Sequence, residues 1–228
     1  MPIIERTATV IGATGLVGSN LVKLLIRDDY FNRIRIISRR PLEYNHVKVS
    51  VIVIDFLDYK AFKEAISGSD SVFCTVGTTR KKVKGDMSEY RKVDFDIPVF
   101  AAKFCSETSC PAFLLVSSVG ADINSRNFYL KIKGETESAV IAASIKSLSI
   151  FRPSMLLGKR NEVRTVESIA QAITRQLIFL FPEKYKPIQA DVLAASMIAF
   201  SKKKVPGFHI YHYYDMVNSL NEKSTASE

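Results

Sequence analysis

Short apolar runs alternate with amphipathic stretches along most of the chain. The runs are rich in Val, Ile and Phe, which is typical of strands buried on both faces of a sheet. They predict six strands, at residues 7–11, 33–38, 47–54, 71–76, 112–117 and 147–151. The stretches between them predict four helices, at residues 16–27, 58–66, 87–107 and 129–144. Such βαβ alternation predicts an α/β fold, a mostly parallel sheet covered by helices on both faces.

The rhythm of the pattern changes after residue 152. A polar loop leads to an apolar helix candidate at residues 166–179, and Asp191 precedes another predicted helix at residues 192–203. A last strand is predicted at residues 208–213, and the polar ending predicts a disordered tail at residues 219–228. We therefore predict one domain, residues 1–218, in which residues 152–215 form a small elaboration that covers a bound substrate.

Three glycines follow the first predicted strand at intervals of three. Gly12 supplies backbone freedom for a sharp turn, Gly15 lets main-chain amides approach a pyrophosphate, and Gly18 lets the next helix pack closely on the sheet. The helix N-terminus then presents free N–H groups and a partial positive charge. The segment predicts a dinucleotide-binding turn in a doubly wound Rossmann sheet of strand order 3-2-1-4-5-6.

The end of the second predicted strand bears on the choice of cofactor. In a dinucleotide fold a carboxylate there holds the ribose 2′-hydroxyl, whereas a basic residue accommodates a 2′-phosphate. Here the strand ends in Arg39 and Arg40, so NADP(H) is favoured over NAD(H), although the pair could also be solvated loop arginines. Asp55, after the third strand, could bond the adenine, or Asp55 or Asp58 could be an ordinary helix cap.

A Tyr-x-x-x-Lys spacing occurs three times, starting at Tyr44, Tyr59 and Tyr129, so position must discriminate among them. Only Tyr129 follows a strand that ends in serines and stands near the start of a helix. The four-residue spacing puts Tyr129 and Lys133 on one helix face, and the strand end delivers Ser118 to the crevice where such sheets bind ligands. We predict Ser118, Tyr129 and Lys133 to be the catalytic set.

Composition narrows the alternatives. The formal net charge of +9 and a pI of about 9.4 would suit nucleic acid, but the lysines cluster in one loop and at one helix end, without a recognised reading motif. We therefore expect no specific nucleic-acid partner. The three cysteines lack CxxC spacing, so neither a disulfide framework nor a metal site is predicted. No leader or spanning segment is apparent, which favours a cytoplasmic protein.

The glycine turn, the serines after the fifth predicted strand and the Tyr129–Lys133 pair, in that order, resemble a known family, the atypical short-chain dehydrogenase/reductases, and six segments carry a narrower resemblance. Within it, the chain is similar to the Tat-interactive oxidoreductases and to bacterial proteins labelled nucleoside-diphosphate-sugar epimerase-like. The matches span residues 9–164. The segments are Gly-Ala-Thr-Gly-Leu-Val-Gly (12–18), Ser-Arg-Arg (38–40), Val-Gly-Thr-Thr-Arg (76–80), Ser-Ser-Val-Gly-Ala-Asp (117–122), Tyr-Leu-Lys-Ile-Lys-Gly-Glu (129–135) and Phe-Arg-Pro-Ser-Met-Leu-Leu (151–157).

The resemblance implies a role for each cofactor-binding position. By it the pyrophosphate would lie against Thr14, Gly15, Leu16 and Val17, the 2′-phosphate against Arg39 and Arg40, the adenosine-side ribose against Val76 and Gly77, the nicotinamide ribose against Tyr129 and Lys133, the nicotinamide end against Leu156, and the rim against Arg164. One departure is that Thr75-Val76-Gly77-Thr78 stands where the superfamily often has Asn-Asn-Ala-Gly. Any role of that asparagine is therefore open.

The predicted function is NADPH-dependent reduction of a carbonyl substrate, or oxidation of the alcohol, by hydride transfer. Tyr129 would donate the proton, the ammonium of Lys133 would lower the pKa of that phenol, and Ser118, with Ser117 the less favoured choice, would hold the substrate oxygen. One alternative is an NADPH-binding regulatory or interaction protein with little catalysis. With either function we expect a monomer or a homodimer, with room for a protein partner. A nucleotide-sugar epimerase ranks last.

Overall fold

The computed structural model describes residues 5–158 and 182–221. Within these ranges seven parallel strands form one sheet in the order β3-β2-β1-β4-β5-β6-β9, and β7 and β8 form a separate parallel pair. The strands are β1 Thr7–Ile11, β2 Arg33–Ser38, β3 Val49–Val53, β4 Ser71–Cys74, β5 Ala112–Val116, β6 Ser147–Phe151, β7 Leu156–Leu157, β8 Ile188–Gln189 and β9 Gly207–Tyr211. The predicted fold class and the order 3-2-1-4-5-6 are confirmed, and β9 adds a seventh strand beside β6.

Helices cover both faces of the sheet. They are α1 Leu16–Ile26, α2 Tyr59–Ile66, α3 Met87–Arg91, α4 Ile97–Glu107, α5 Phe128–Ala142, α6 Ala190–Lys203 and α7 Tyr213–Asn221, with a 3-10 turn at Glu183–Tyr185. Successive residues of β1 point to opposite faces, so Val10 joins the core under α1 and α6 while Ile11 joins the core under α2 and α4. All five residues of β1 are buried because both faces are covered.

The predicted helix at residues 87–107 is interrupted. A π-helical turn, Lys92–Asp96, separates α3 from α4. Pro98 has no N–H to donate to the carbonyl of Asp94. The hydroxyl of Thr136 on α5 lies 2.9 Å from that oxygen and 2.8 Å from the carbonyl oxygen of Ile132, so its one proton is shared between the two acceptors. A wider turn and a side chain from the neighbouring helix therefore replace regular α-helical bonding at this point.

The carboxyl-terminal part contributes to the main sheet. β9 pairs with β6 from Ser147↔Gly207 to Phe151↔Tyr211, and it ends there because α7 begins at Tyr213. The predicted strand at residues 208–213 was thus displaced by up to two residues. Helix α7 continues to Asn221, three residues into the predicted tail. The predicted helix at residues 166–179 lies outside the described residues.

β1 and β4 are neighbours in the sheet. β2 and β3 lie on the β1 side and β5, β6 and β9 on the β4 side, so the order of the strands reverses between β1 and β4. Open parallel sheets bind ligands at such a switch point, outside the carboxyl ends of the strands. The glycine turn follows β1 and the 75–79 loop follows β4, so both border this position. In the described ranges no helix combines the length and apolar character needed to cross a membrane.

Candidate functional site

The turn between β1 and α1 can be built only with glycine at two of its positions. Gly12 has a φ of +92°, and a Cβ there would lie 2.8 Å from the carbonyl carbon of Thr75. A Cβ on Gly18 would lie 2.1 Å from the Gly12 carbonyl oxygen. Because neither residue has a Cβ, α1 can lie close to the ends of β1 and β4. No side chain caps the first turn of α1, so its N–H groups remain available to an anion.

A groove of about 730 Å³ runs from this turn to the start of α5, a volume suited to a small-molecule or cofactor site. Nine of the predicted cofactor-binding residues line it, namely Thr14, Gly15, Leu16, Val17, Val76, Gly77, Tyr129, Lys133 and Leu156. Gly12 and Gly18 lie behind the lining, where their role is to permit the turn. Arg164 lies outside the described residues.

Helix α5 carries Tyr129 and Lys133 into the groove. The side chain of Asn127 caps the helix, accepting bonds from the amides of Tyr129 at 2.9 Å and Leu130 at 3.3 Å. A Cβ on Gly134 would lie 2.3 Å from the carbonyl carbon of Asp122, so α5 packs directly on the preceding loop. Tyr129 is 39% exposed, whereas Lys133 is 5% exposed and places its Nζ 6.0 Å from the Tyr129 ring centroid. The phenol of Tyr129 thus lies at the exposed opening of the groove, and the ammonium of Lys133 lies at its buried base.

Asp94, which was not predicted, supplies the counter-charge of Lys133. It lies in the π-helical turn, is 1% exposed, and its Oδ1 forms an ion pair with Lys133 Nζ at 3.0 Å, outside good hydrogen-bond alignment. Burial is the largest influence on Lys133 and lowers its pKa, but the Asp94 carboxylate together with Tyr129 and Cys74 outweighs it, so the pKa of Lys133 lies above its ordinary value. The ammonium therefore remains charged at neutral pH.

A second buried carboxylate lies one turn further along α5. Glu137 follows Lys133 by four residues, accepts a hydrogen bond from the hydroxyl of Ser117, and pairs with Arg152, whose Nε donates to Oε1 at 3.0 Å. This pairing raises the pKa of Arg152. The Tyr129, Lys133, Glu137 spacing was visible in the sequence, but nothing there indicated that Glu137 would be buried.

The structure distinguishes the two serines after β5. Ser117 lines the groove, whereas Ser118 is not among the lining residues and its hydroxyl donates to the Val119 carbonyl at 3.3 Å. Both are buried. The geometry therefore brings Ser117, rather than the favoured Ser118, together with Tyr129 and Lys133.

The residues predicted for the adenosine end lie at the sheet edge, outside the groove lining. Arg39 and Arg40 follow β2 and are exposed. Because Ile37 pairs with Ile11, they lie on the same edge as the glycine turn. Asp55 accepts a bond from the amide of Leu57 at 3.0 Å in a local turn, and Asp58 caps α2 through the amide of Ala61. The helix cap at Asp58 was among the alternatives left open, whereas the local turn at Asp55 was not.

Comparison with known proteins places this geometry in a family. The NAD(P)H-binding family matches residues 12–177. The chain is 34% identical over 170 residues to Protein HTATIP2 of Rattus norvegicus, covering 73% of this chain and 69% of that protein. It is 32% identical over 204 residues to mitochondrial Protein FMP52 of Candida albicans, covering 87% and 89%.

Solved structures show the same fold at low identity. MoeE5 in complex with UDP-glucose and NAD matches with a TM-score of 0.68 and 14% identity, over 96% of this chain and 82% of that one. A UDP-glucose 4-epimerase matches with a TM-score of 0.67 and 14% identity, over 96% and 82%.

These matches bear on three predictions. The resemblance to the Tat-interactive oxidoreductases and the nicotinamide dinucleotide class of cofactor are confirmed, while the choice between NAD(H) and NADP(H) stays a prediction. The yeast relatives are named mitochondrial, so a cytoplasmic location also stays a prediction. This chain belongs to the NAD(P)H-binding family of Rossmann proteins, among the homologues of HTATIP2 and FMP52.

Proposed function

We propose that this protein is an NADP(H)-dependent oxidoreductase that interconverts a carbonyl compound and its alcohol. One observation carries the proposal: a partly exposed phenol, Tyr129, stands with the buried ammonium of Lys133 in the groove that begins at the glycine turn. A reducible carbon placed in this groove would meet a proton donor next to a fixed positive charge. That combination is what carbonyl reduction requires of a protein.

Tyr129 would move the proton. An ordinary tyrosine, with a pKa near 10, is a weak acid-base group at neutral pH, and a nearby cation favours its ionised form. Lys133 can supply that cation throughout the physiological range because Asp94 keeps it charged. The dinucleotide, when bound, supplies the hydride, while Tyr129 protonates the substrate oxygen as its negative charge develops.

Ser117 is the serine that we assign to the ligand, in place of Ser118. Its hydroxyl donates to Glu137, whose carboxylate also pairs with the guanidinium of Arg152. The Ser117 oxygen therefore offers lone pairs to the groove and would accept a bond from an alcohol hydroxyl or an amide. Proton donation to a carbonyl oxygen is left to Tyr129.

The arginines after β2 support NADP(H). No carboxylate stands directly after β2, where it would hold a ribose 2′-hydroxyl. Arg39 and Arg40 stand there instead, exposed at the same edge of the sheet as the glycine turn. Paired guanidinium groups are suited to a phosphate monoester. The UDP-sugar-binding structures share the fold alone, so no sugar-nucleotide substrate is inferred from them.

Turnover of NADPH against a panel of aldehydes, ketones and quinones tests the proposal. Tyr129→Phe is expected to lower turnover at least 100-fold with a much smaller effect on the Kd for NADPH, since general acid-base groups contribute roughly that much to the rate. Tyr59→Phe is the matched control, because Tyr59 is also partly exposed and also precedes a lysine by four residues.

Two outcomes would contradict the proposal in different ways. Equal turnover by wild type and Tyr129→Phe would remove Tyr129 from the chemistry. Tight NADPH binding without turnover on any member of the panel would favour the regulatory alternative, in which the cofactor changes the binding of a protein partner.

A further inference from the structure

The π-helical turn carries an acidic side chain into the protein interior. Within Lys92–Asp96, Asp94 is buried while its neighbour Asp96 remains partly exposed. The carbonyl of Asp94 is held by the hydroxyl of Thr136, so both ends of this residue are tied to α5. π turns of this kind occur frequently at functional sites.

The two carboxylate oxygens of Asp94 have different partners. Oδ2 accepts a hydrogen bond from the amide of Thr78 at 2.8 Å, and Oδ1 faces Lys133 Nζ at 3.0 Å. Thr78 belongs to the loop after β4, which borders the groove with Val76 and Gly77. Gly77 is close as well, since a Cβ there would lie 3.7 Å from Oδ1. One side chain thus joins the cofactor-side loop to the helix that carries Tyr129.

The charge of Lys133 depends on this contact. An ammonium buried to this degree is costly without a partner. The other titratable groups that act on Lys133 are Tyr129 on its own helix and Cys74 on β4, whose thiol is kept protonated by burial; Tyr90 on α3 faces Asp94. Asp94 is therefore the compensating anion for Lys133 within the described residues.

We propose that Asp94 is a positioning residue of the site, whose carboxylate keeps Lys133 charged and in place and fixes the loop after β4 against the same ammonium. The proposal deepens the proposed function, on which the use of that charge by Tyr129 rests. The proposal also bears on the Thr75–Thr78 segment, which differs from the sequence that the superfamily often has there. Asp94 supports this segment from the helix side.

Nuclear magnetic resonance of the lysine side chains tests the proposal without any substrate or cofactor. The ¹³Cε and ¹⁵Nζ signals of Lys133, assigned by their loss in Lys133→Gln, are followed from pH 7 to pH 12. In the wild type the midpoint is expected above the ordinary 10.5, and in Asp94→Asn at least one pH unit lower than in the wild type. Asparagine keeps an acceptor for the Thr78 amide, so the change isolates the charge.

Asp96→Asn, in the same turn, is the control and should leave the midpoint of Lys133 unchanged. A wild-type midpoint below 10.5, or equal midpoints in wild type and Asp94→Asn, would overturn the proposal. Absence of turnover in the carbonyl panel would contradict the proposed function and leave this titration unaffected.

A double variant covers the case in which Asp94→Asn does not fold. Asp94→Asn with Lys133→Met removes both charges, so it should give a higher Tm or a larger folded fraction than Asp94→Asn alone, which leaves a buried ammonium unpaired. A double variant no more stable than the single one would show that the two groups do not compensate each other.

Discussion

The charged cluster around α5 and the arginine pair after β2 differ in whether the protein itself compensates their charges. In the cluster, formed by Asp94, Lys133, Glu137 and Arg152, each charge has a protein partner. Arg39 and Arg40 are exposed, and their guanidinium groups form no ion pair with the described residues. A buried charge needs a partner within the protein, whereas an exposed charge is solvated by water and stays available to a ligand. Substitutions should therefore affect folding in the cluster and only binding at the arginine pair.

The largest effect is expected at Glu137. Glu137→Ala would leave Arg152 without its carboxylate partner and Ser117 without an acceptor. Breaking a largely buried pair in this way costs about 3–5 kcal/mol. Urea unfolding followed by circular dichroism measures the loss.

Glu135 on the same helix provides the matched control. It pairs with Arg91 at 2.6 Å, but both side chains are partly exposed, and such pairs contribute about 0–1 kcal/mol. We expect Glu135→Ala to change the free energy of unfolding by no more than that amount. Comparable losses at Glu135 and Glu137 would mean that burial does not separate the two pairs.

The next effect is expected in binding alone. Replacing both Arg39 and Arg40 with Ala should lower the affinity for NADPH about 100-fold, since each hydrogen bond to a charged group contributes about 1.5–3 kcal/mol. The affinity for NADH, which has no 2′-phosphate, and the free energy of unfolding should not change. Fluorescence titration with the two nucleotides measures both affinities.

Arg33→Ala tests whether position on the strand matters. Arg33 lies at the other end of β2 and pairs with Glu5 at 2.8 Å on the exposed surface. Its loss should leave both nucleotide affinities unchanged. If the wild type prefers NADH, or if Arg33→Ala weakens NADPH as much as the double variant does, the assignment of the arginine pair fails.

The same contrast explains what the sequence could predict. The strand pattern, the glycine turn and the Tyr129–Lys133 pair depend on local rules of periodicity, steric size and helical spacing. These rules need no knowledge of distant partners. Arg39 and Arg40 could be identified for the same reason, because their position relative to β2 follows from the strand pattern alone.

The partners inside the cluster could not be predicted. Asp94 lies in a π-helical turn that interrupts the predicted helix, and its carbonyl contacts the hydroxyl of Thr136, 42 residues away. Glu137 has the right spacing, but its burial depends on Arg152 from the end of β6. Ser117 and Ser118 are adjacent in sequence, and only the folded structure shows that Ser117 is the one that lines the groove. Acidic residues are normally exposed, so burial of two carboxylates has no local signal.

The smallest expected effect is a loss of stability at alkaline pH. It arises from Cys74, which interacts with Lys133 and Asp94 of the cluster, and it has no counterpart at the arginine pair. Cys74 is completely buried on β4 under the cluster, and burial raises the pKa of its thiol from 9.0 to about 12. The folded state therefore holds this proton more tightly than the unfolded state. The stabilisation is complete below pH 9 and is lost as the pH rises toward 12.

At pH 10, above the unfolded value, Cys74 accounts for about 1 kcal/mol of lost stability. Cys74→Ala is less stable than the wild type at pH 7.5 because it leaves a small cavity, but it lacks this titration, so the gap between the two should narrow by about that amount at pH 10. The Arg39 and Arg40 double variant should keep a constant gap from the wild type across the same range. A constant gap for Cys74→Ala would mean that the thiol ionises as readily in the folded protein as in the unfolded chain, which would require water to reach the floor of the cluster and would remove the low-dielectric setting on which the pairing of Lys133 with Asp94 depends.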